Sequence, residues 1–219
     1  GANAYYTRVN VDDYHLDSYG VLVGIHDRVE LSIARQEFDT EDVGAALGLG
    51  RGFTIRQDIV GLKVRIAGDA VLESDRAMPQ IAVGLQHKRN NRGALLTAIG
   101  AEDDSGTDVY VSATKLFLAQ GVLLNGTVRF TKANQMGLLG FGGDKHDGYR
   151  PQFEVSAAYL VNRKLAIGAE YRSKPDNLGI AREDDWFDVF VAWAPSRNVS
   201  LTVAYVDLGN IVIKDRQRG

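Results

Sequence analysis

Apolar and polar residues alternate along four segments near the end of the chain. Their apolar rows are Phe153, Val155, Ala157 and Tyr159; Leu165, Ile167, Ala169 and Tyr171; Phe187, Val189, Val191 and Trp193; and Val199, Leu201, Val203 and Tyr205. A period of two residues is typical of β-strands. Aromatic residues at the row ends are typical of strands that cross an outer membrane. The pattern therefore predicts a transmembrane antiparallel β-barrel.

Further strands are predicted upstream of these segments, at residues 4–11, 19–25, 29–38, 59–67, 80–88, 108–118 and 122–132. With the four segments above they make eleven strands. We find no linker, so residues 1–219 are expected to form one domain. The predicted connections are brief at His26–Arg28, Ala119–Gly121, Val161–Arg163 and Ala194–Arg197, moderate at Gly68–Pro79, and long at Asp39–Asp58, Arg89–Thr107, Ala133–Arg150 and Ser173–Asp185. This asymmetry predicts an up-and-down barrel with short periplasmic turns and long extracellular loops.

Two of the long loops contain helix-like pieces. Thr40 is expected to cap residues 41–47, where acidic residues fill the first turn, and residues 93–100 are similarly rich in Ala and Leu. Either piece could fold into the lumen as a constriction, or it could lie over the rim as a short surface helix.

The predicted strand number raises a question of closure. A barrel with both termini on the periplasmic side needs an even number of strands, about twelve in this case, and an exposed strand edge in hydrocarbon costs several kcal/mol for each unpaired group. We therefore expect something to pair with the strand that ends near Asp207. It could be a twelfth strand of the natural protein or a strand from another protein chain.

Composition narrows the function. The net charge of −3 and the pI of about 5.8 give no reason to expect nucleic-acid binding. The absence of cysteine excludes disulfides and thiol catalysis. No apolar run reaches the roughly 18 residues of a transmembrane helix. Because the chain opens directly at Gly1 without a signal sequence, we expect an outer-membrane location after removal of a signal peptide.

Several segments together resemble a known family: residues 61–69, 78–84, 137–144, 170–177 and 203–210. The chain is similar over nearly its whole length to the Gram-negative family catalogued as domain of unknown function 3034. The resemblance implies an outer-membrane barrel and carries no established activity. Members of the family continue past a Gln-Arg-Gly with another amphipathic strand, whereas this sequence ends at Gly219.

The polar face of the strands is expected to line the lumen, because a charge on the lipid face near mid-bilayer costs about 2 to 4 kcal/mol. The candidate lumen residues are Arg8, Glu30, Lys63, Arg65, Arg129, Glu154, Glu170, Arg172 and Asp188. They could line a watered channel, or cross-strand ion pairs could close the interior.

A second set of basic residues is expected at the extracellular rim, where the phosphates of lipopolysaccharide lie. This set comprises Lys88, Arg89, Arg92, Lys132, Arg150 and Lys174. Ordinary solvated loop charges are the alternative interpretation.

We find no catalytic, metal or cofactor signature. Asp144, His146 and Asp147 could approach a cation, but nothing fixes their geometry, and the acidic stretch 183–185 is expected to be solvated. The four histidines have no identifiable serine partner on the lipid face. We therefore expect no enzyme, no metal and no cofactor, and predict a narrow channel for small polar solutes. The alternatives are a structural or assembly component of the envelope, an outer-membrane lipid-modifying enzyme, and a soluble β-sandwich or ligand-binding barrel.

Overall fold

The computed structural model describes residues 1–71, 77–180, 182–211 and 213–219. One curled antiparallel sheet of eleven strands runs through this part of the chain, and sequence neighbours are also neighbours in the sheet. The predicted up-and-down fold and strand number are confirmed. The strands are β1 (Ala2–Asn10), β2 (His15–Ile25), β3 (Val29–Asp39), β4 (Thr54–Ala67), β5 (Gln80–Asn90), β6 (Ser105–Phe117), β7 (Val122–Thr131), β8 (Arg150–Asn162), β9 (Leu165–Arg172), β10 (Trp186–Ser196) and β11 (Val199–Asp207).

The connections differ in length between the two ends of the sheet. At one end the chain turns within residues 26–28, 118–121, 163–164 and 197–198, with a longer connection at 68–79. At the other end it runs through residues 11–14, 40–53, 91–104, 132–149 and 173–185. We call these the short-turn end and the long-loop end. The asymmetry expected from the sequence is present.

Outward and inward residues alternate along the strands, and their register keeps each set on one face. Val191 on β10 pairs with Ile167 on β9 and with Val203 on β11, and all three are exposed. Ala192, the next residue on β10, is partly buried on the inner face. A continuous apolar outer surface results from this alternation.

Two short helices lie in the loops of the long-loop end. They are α1 (Glu41–Ala46) and α2 (Gly93–Ala98), and 3-10 turns occur at Leu118–Gln120 and Asn134–Gly137. The expected cap at Thr40 is wrong, because its hydroxyl donates to the Phe53 carbonyl at 2.8 Å and makes no cap bond. No helix in the described residues is both long and apolar enough to cross a membrane.

A hydrophobic core fills the long-loop end of the sheet. We call it the mouth core, and its buried members are Tyr14, Phe38, Val43, Ile55, Leu96, Ala101, Leu138, Leu139, Leu178 and Ile211. They come from strand ends, from both short helices and from loops distant in sequence. The long loops therefore pack on one another as a closed layer over this end of the barrel.

Several strands begin closer to the long-loop end than the sequence predicts. β4 starts at Thr54 rather than residue 59, because residues 54–58 continue its ladder with β3. Polarity is inverted in this stretch: Ile55 is buried in the mouth core, while Arg56 faces outward and lies 3.1 Å from Glu37. A strand prediction that relies on outward apolar residues therefore starts β4 too late, where this inversion ends.

The edge strands approach each other at the long-loop end. Gly219 exchanges backbone hydrogen bonds of 2.8 and 3.1 Å with Val206 of β11. A Cβ at Gly219 would collide with the Asn10 carbonyl of β1, so the last residues lie between the two edges. Among the described strands, β1 pairs only with β2 and β11 only with β10. Closure by a further strand, from this or another chain, stays a prediction.

Candidate functional site

The inner face carries an ion-pair network that extends from β5 to β9. Lys88 Nζ lies 2.7 Å from the Asp108 carboxylate, and Arg129 lies 3.7 Å from the same carboxylate. Glu154 is 2.6 Å from Arg129 and 3.6 Å from Arg172. Lys88 and Asp108 are almost fully buried, at 3% and 1% exposure. A buried charge is tolerated only beside an opposite charge, and each of these five residues has such a partner on a neighbouring strand.

Arg129 is the centre of this network. Its guanidinium also donates to Gln86 Oε1 at 2.9 Å and lies over the Tyr110 ring at 4.8 Å. The Tyr110 ring in turn covers Gly84 on the adjacent strand, where a Cβ would collide with it. Planar stacking together with several directed hydrogen bonds is what arginine provides and lysine does not.

A loop segment packs on the inner face of the sheet next to the network. We call residues 133–142 the plug, because all of them except Met136 are buried. Lys88 donates to the Met136 carbonyl at 3.0 Å and Asn90 donates to the Leu138 carbonyl at 2.8 Å. The wall thus holds the plug through side chains that bond its backbone.

Gln57 on β4 adds to this attachment. When its side-chain amide is oriented to satisfy both neighbours, its nitrogen donates to the Met136 carbonyl at 3.2 Å and its oxygen accepts from the Leu138 N–H at 3.1 Å. Gln57 is fully buried. A buried amide satisfied by both a donor and an acceptor of the plug fixes the position of the plug against the wall.

The plug is further held by a second loop, residues 173–185. Both oxygens of Glu183 accept the Gln135 N–H, at 2.9 and 3.1 Å, and Lys174 Nζ donates to Gln135 Oε1 at 3.0 Å. Gln135 and Met136 have φ of 44° and 60°. Residues other than glycine rarely adopt such values, so the surrounding contacts must maintain them.

Lys174 and Glu183 form a buried pair, with side chains 0% and 2% exposed and 3.7 Å between nitrogen and oxygen. Burial lowers the pKa of Lys174 to about 8 and raises the pKa of Glu183 to about 7. The ammonium also lies 4.8 Å from the Trp186 ring. Desolvation therefore outweighs the mutual attraction of the pair.

Two cavities with charged side chains in their lining lie along the inner face of the sheet. One, of about 280 Å³, is lined on the inner face by Asn125, Glu154, Ser156, Glu170 and Asp188 among others. The other, of about 450 Å³, lies at the short-turn end and includes Asp27, Arg28, Glu30, Lys63, Arg65 and Gln80 in its lining. Cavities of this size are large enough for several water molecules.

The predicted lumen residues fall into three groups. Glu30, Lys63 and Arg65 line the cavity at the short-turn end, and Glu30 lies 3.6 Å from Lys63. The mid-lumen group comprises Arg129, Glu154, Glu170, Arg172 and Asp188. The prediction that Arg8 lines the lumen is wrong. Arg8 lies on the outward face with its register partner Asp17, because polarity is inverted at this end of the strands.

The predicted basic rim is largely wrong. Lys88 and Lys174 are buried within the lumen and the loop layer, where each neutralises a carboxylate. Lys132 is paired with Asp103 at 2.8 Å, and Arg92 covers the Phe53 ring at 4.5 Å. Arg150 is exposed at the start of β8, and Arg89 faces outward on β5.

Sequence reasoning missed the residues that hold the plug. The prediction that Glu183 is solvated is wrong: its side chain is buried, and both its oxygens accept the Gln135 N–H. Gln57, Asn90 and Gln135 had no assigned role. The apolar run Leu138–Leu139 beside several glycines was the available signal for a buried loop.

The chain is similar to known proteins at two levels, sequence family and fold. A family model described as "Protein of unknown function (DUF3034)" matches residues 1–219. The chain belongs to this family. DUF3034 has no assigned function, and no curated protein matches the chain.

Among solved structures, this DUF3034 member is similar to the outer membrane phospholipase A from Escherichia coli. The TM-score is 0.50 with 10% sequence identity, and the match covers 94% of this chain and 77% of that chain. At this identity the likeness concerns the fold alone, which resembles that of an outer-membrane β-barrel protein.

Proposed function

We propose that this protein is an outer-membrane channel for small polar solutes whose extracellular mouth is closed at rest by its own plug. The long-loop end is extracellular and the short-turn end periplasmic. One observation carries the proposal: cavities with charged side chains in their lining lie along the inner face, and the buried segment 133–142 packs on the same face at the long-loop end. The location is supported by the apolar outer surface, by exposed aromatic residues such as Phe153, Tyr159 and Trp193, and by the fold.

The attachment of the plug favours a closure that can be released over a permanent one. Apart from one backbone bridge between Asp103 and Phe141, it rests on side chains of Gln57, Lys88, Asn90 and Glu183 that bond plug backbone. Bonds of this kind exchange for water one at a time, whereas a strand ladder opens cooperatively. Gln135 and Met136 also retain a strained backbone that release of the plug would relax.

Single-channel conductance in planar bilayers tests the proposal. We compare the wild type with a variant in which residues 134–141 are replaced by Gly and Ser. The control carries Gly and Ser at the four residues 146–149, which are exposed in the same loop. We expect a silent wild type, a silent control and a conducting plug variant. A plug variant that folds into membranes, as judged by heat-modifiable gel mobility, but stays silent would instead favour a structural component of the envelope.

A second candidate function, hydrolysis of a lipid ester, rests on one contact. His87 Nδ1 lies 2.9 Å from Thr107 Oγ1 on the outward face of β5 and β6, so one histidine does have a hydroxyl partner on that face. An imidazole beside a hydroxyl is the pair that nucleophilic catalysis uses. The structurally similar protein from Escherichia coli is an outer membrane phospholipase. His87 has no hydrogen-bonded carboxylate in the described part of the chain, so this candidate ranks second.

Release of fatty acid from phosphatidylcholine micelles tests the second candidate. Wild-type activity that His87→Ala and Thr107→Val both abolish, with His146→Ala active as the control, would support hydrolysis. A wild type without activity would contradict this second candidate function.

A further inference from the structure

Charged residues occupy the outward face of β1 to β5 at the long-loop end. We call this set the rim arc: Arg8, Asp17, Arg35, Glu37, Arg56, Asp58 and Arg89. The register places them in two cross-strand rows, one containing Arg8, Asp17, Glu37 and Arg56, the other Arg35, Asp58 and Arg89. They form one continuous polar surface on the side of the sheet that is otherwise apolar.

Ion pairs order part of this surface. Arg35 makes two contacts with the Asp58 carboxylate, at 2.6 and 3.2 Å, and Arg56 lies 3.1 Å from Glu37. Arg8 is a looser partner of Asp17, at 3.8 Å. The side chains of Arg8, Arg35 and Arg56 remain about half exposed, so their guanidinium groups can donate to a further anionic partner.

The rim arc reaches toward the apolar part of the outer surface. On β3 the outward apolar row runs only from Val29 to Ile33 before Arg35, about 14 Å along the strand. On β8 the corresponding row from Phe153 to Tyr159 spans about 20 Å. Charges facing hydrocarbon are costly, so the arc requires a polar partner at this depth.

The opposite side of the sheet is different. At the long-loop end of β7 to β10 the outward residues are aromatic: Phe130, Phe153, Tyr171 and Phe187. Aromatic rings suit the boundary of ordinary lipid. The charged arc therefore marks one sector of the circumference rather than a general property of the rim.

The composition of the arc indicates the chemistry of its partner. All four cations are arginines, whose planar fork binds phosphate through paired hydrogen bonds. Four arginines against three carboxylates leave a net positive charge. Arg89 has no ion-pair partner among the described residues, and it adjoins Asp58 in the second row.

We propose that the rim arc binds the phosphate-bearing headgroup of an outer-leaflet glycolipid, with Arg56 and Arg89 as its principal phosphate ligands. The site deepens the expected contact with lipopolysaccharide, but through residues other than the buried lysines. The inference rests on the membrane placement given above. It is independent of whether the lumen conducts.

Native mass spectrometry of the detergent-solubilised protein, titrated with bisphosphorylated lipid A, tests the proposal. Arg56→Gln combined with Arg89→Gln should weaken binding about tenfold, the effect of losing one or two charge-assisted hydrogen bonds. Arg56→Lys with Arg89→Lys keeps the charge and should weaken it less. The matched control, Arg51→Gln with Arg182→Gln, changes two loop arginines that are 80% and 79% exposed and should bind as the wild type does.

Further measurements with the same method change the ligand. Dephosphorylated lipid A should bind no better than phosphatidylcholine. Unchanged binding by the Gln double variant overturns the proposal, and so does displacement of lipid A by millimolar inorganic phosphate, which would indicate a site for the free anion. Formation of protein dimers in place of lipid adducts overturns it as well, in favour of a second copy of the chain.

Discussion

At the scale of single residues, Lys174 and Glu183 decide how the plug is held. Removing one partner of a buried pair leaves an uncompensated charge and costs about 3 to 5 kcal/mol, whereas replacing both by apolar residues is often neutral or stabilising. We therefore expect Glu183→Leu to destabilise strongly and Lys174→Met with Glu183→Leu to recover only part of the loss, because buried Gln135 still lacks its bonds to both side chains. Urea unfolding in detergent micelles measures both. A double variant as unstable as the single would mean that the pair stabilises the fold on balance.

The same pair predicts a pH dependence. The raised pKa of Glu183, about 7, gives stability that is present below its ordinary value of 4.5 and is lost as pH rises through 7. The lowered pKa of Lys174, about 8, gives stability that is present above 10.5 and is lost as pH falls through 8. The contribution of the pair should therefore be lowest between pH 7 and 8. We expect the difference in unfolding free energy between the wild type and the double variant to show this minimum, and a flat difference would contradict it.

At the scale of secondary-structure elements, the two faces of a strand should differ in their tolerance of charge. Val191→Arg places a cation on the outward face of β10 and should cost about 2 to 4 kcal/mol near mid-bilayer. Ala192→Ser, on the inner face next to it, should be mild. Unfolding of both variants from lipid vesicles measures the difference. Equal tolerance would mean that the faces are misassigned.

At the long-loop ends of the strands, apolar residues face inward and charged residues face outward. This inversion explains the errors in the sequence-based strand boundaries. Phe38 packs in the mouth core and stacks on Tyr14 with ring centroids 5.1 Å apart, whereas its neighbour Glu37 faces outward. Phe38→Ala should cost about 3 to 5 kcal/mol, and Glu37→Ala about 1 kcal/mol or less. The unfolding midpoints of the two variants check this, and a larger loss for Glu37→Ala would contradict the inverted packing.

At the scale of the whole molecule, the sequence predicts what local alternation controls. Strand number, strand order and the asymmetry of the connections follow from a period of two residues and from segment lengths. The plug does not follow, because it depends on contacts between distant loops. Gln135 meets Glu183 across 48 residues, and Asn134 meets Asn177 across 43. Neither pair has a local signature.

Chemical labelling from each side of the membrane tests whether the lumen is closed at its extracellular mouth and open to the periplasm. The chain has no cysteine, so Ser156→Cys places a single thiol in the mid-lumen cavity. Arg51→Cys in an exposed long loop and Asp27→Cys in a short turn report each side of oriented vesicles. With a membrane-impermeant maleimide, we predict that Ser156→Cys reacts from the Asp27 side and is protected from the Arg51 side. Reaction from the Arg51 side as fast as that of Arg51→Cys itself would contradict the plugged barrel.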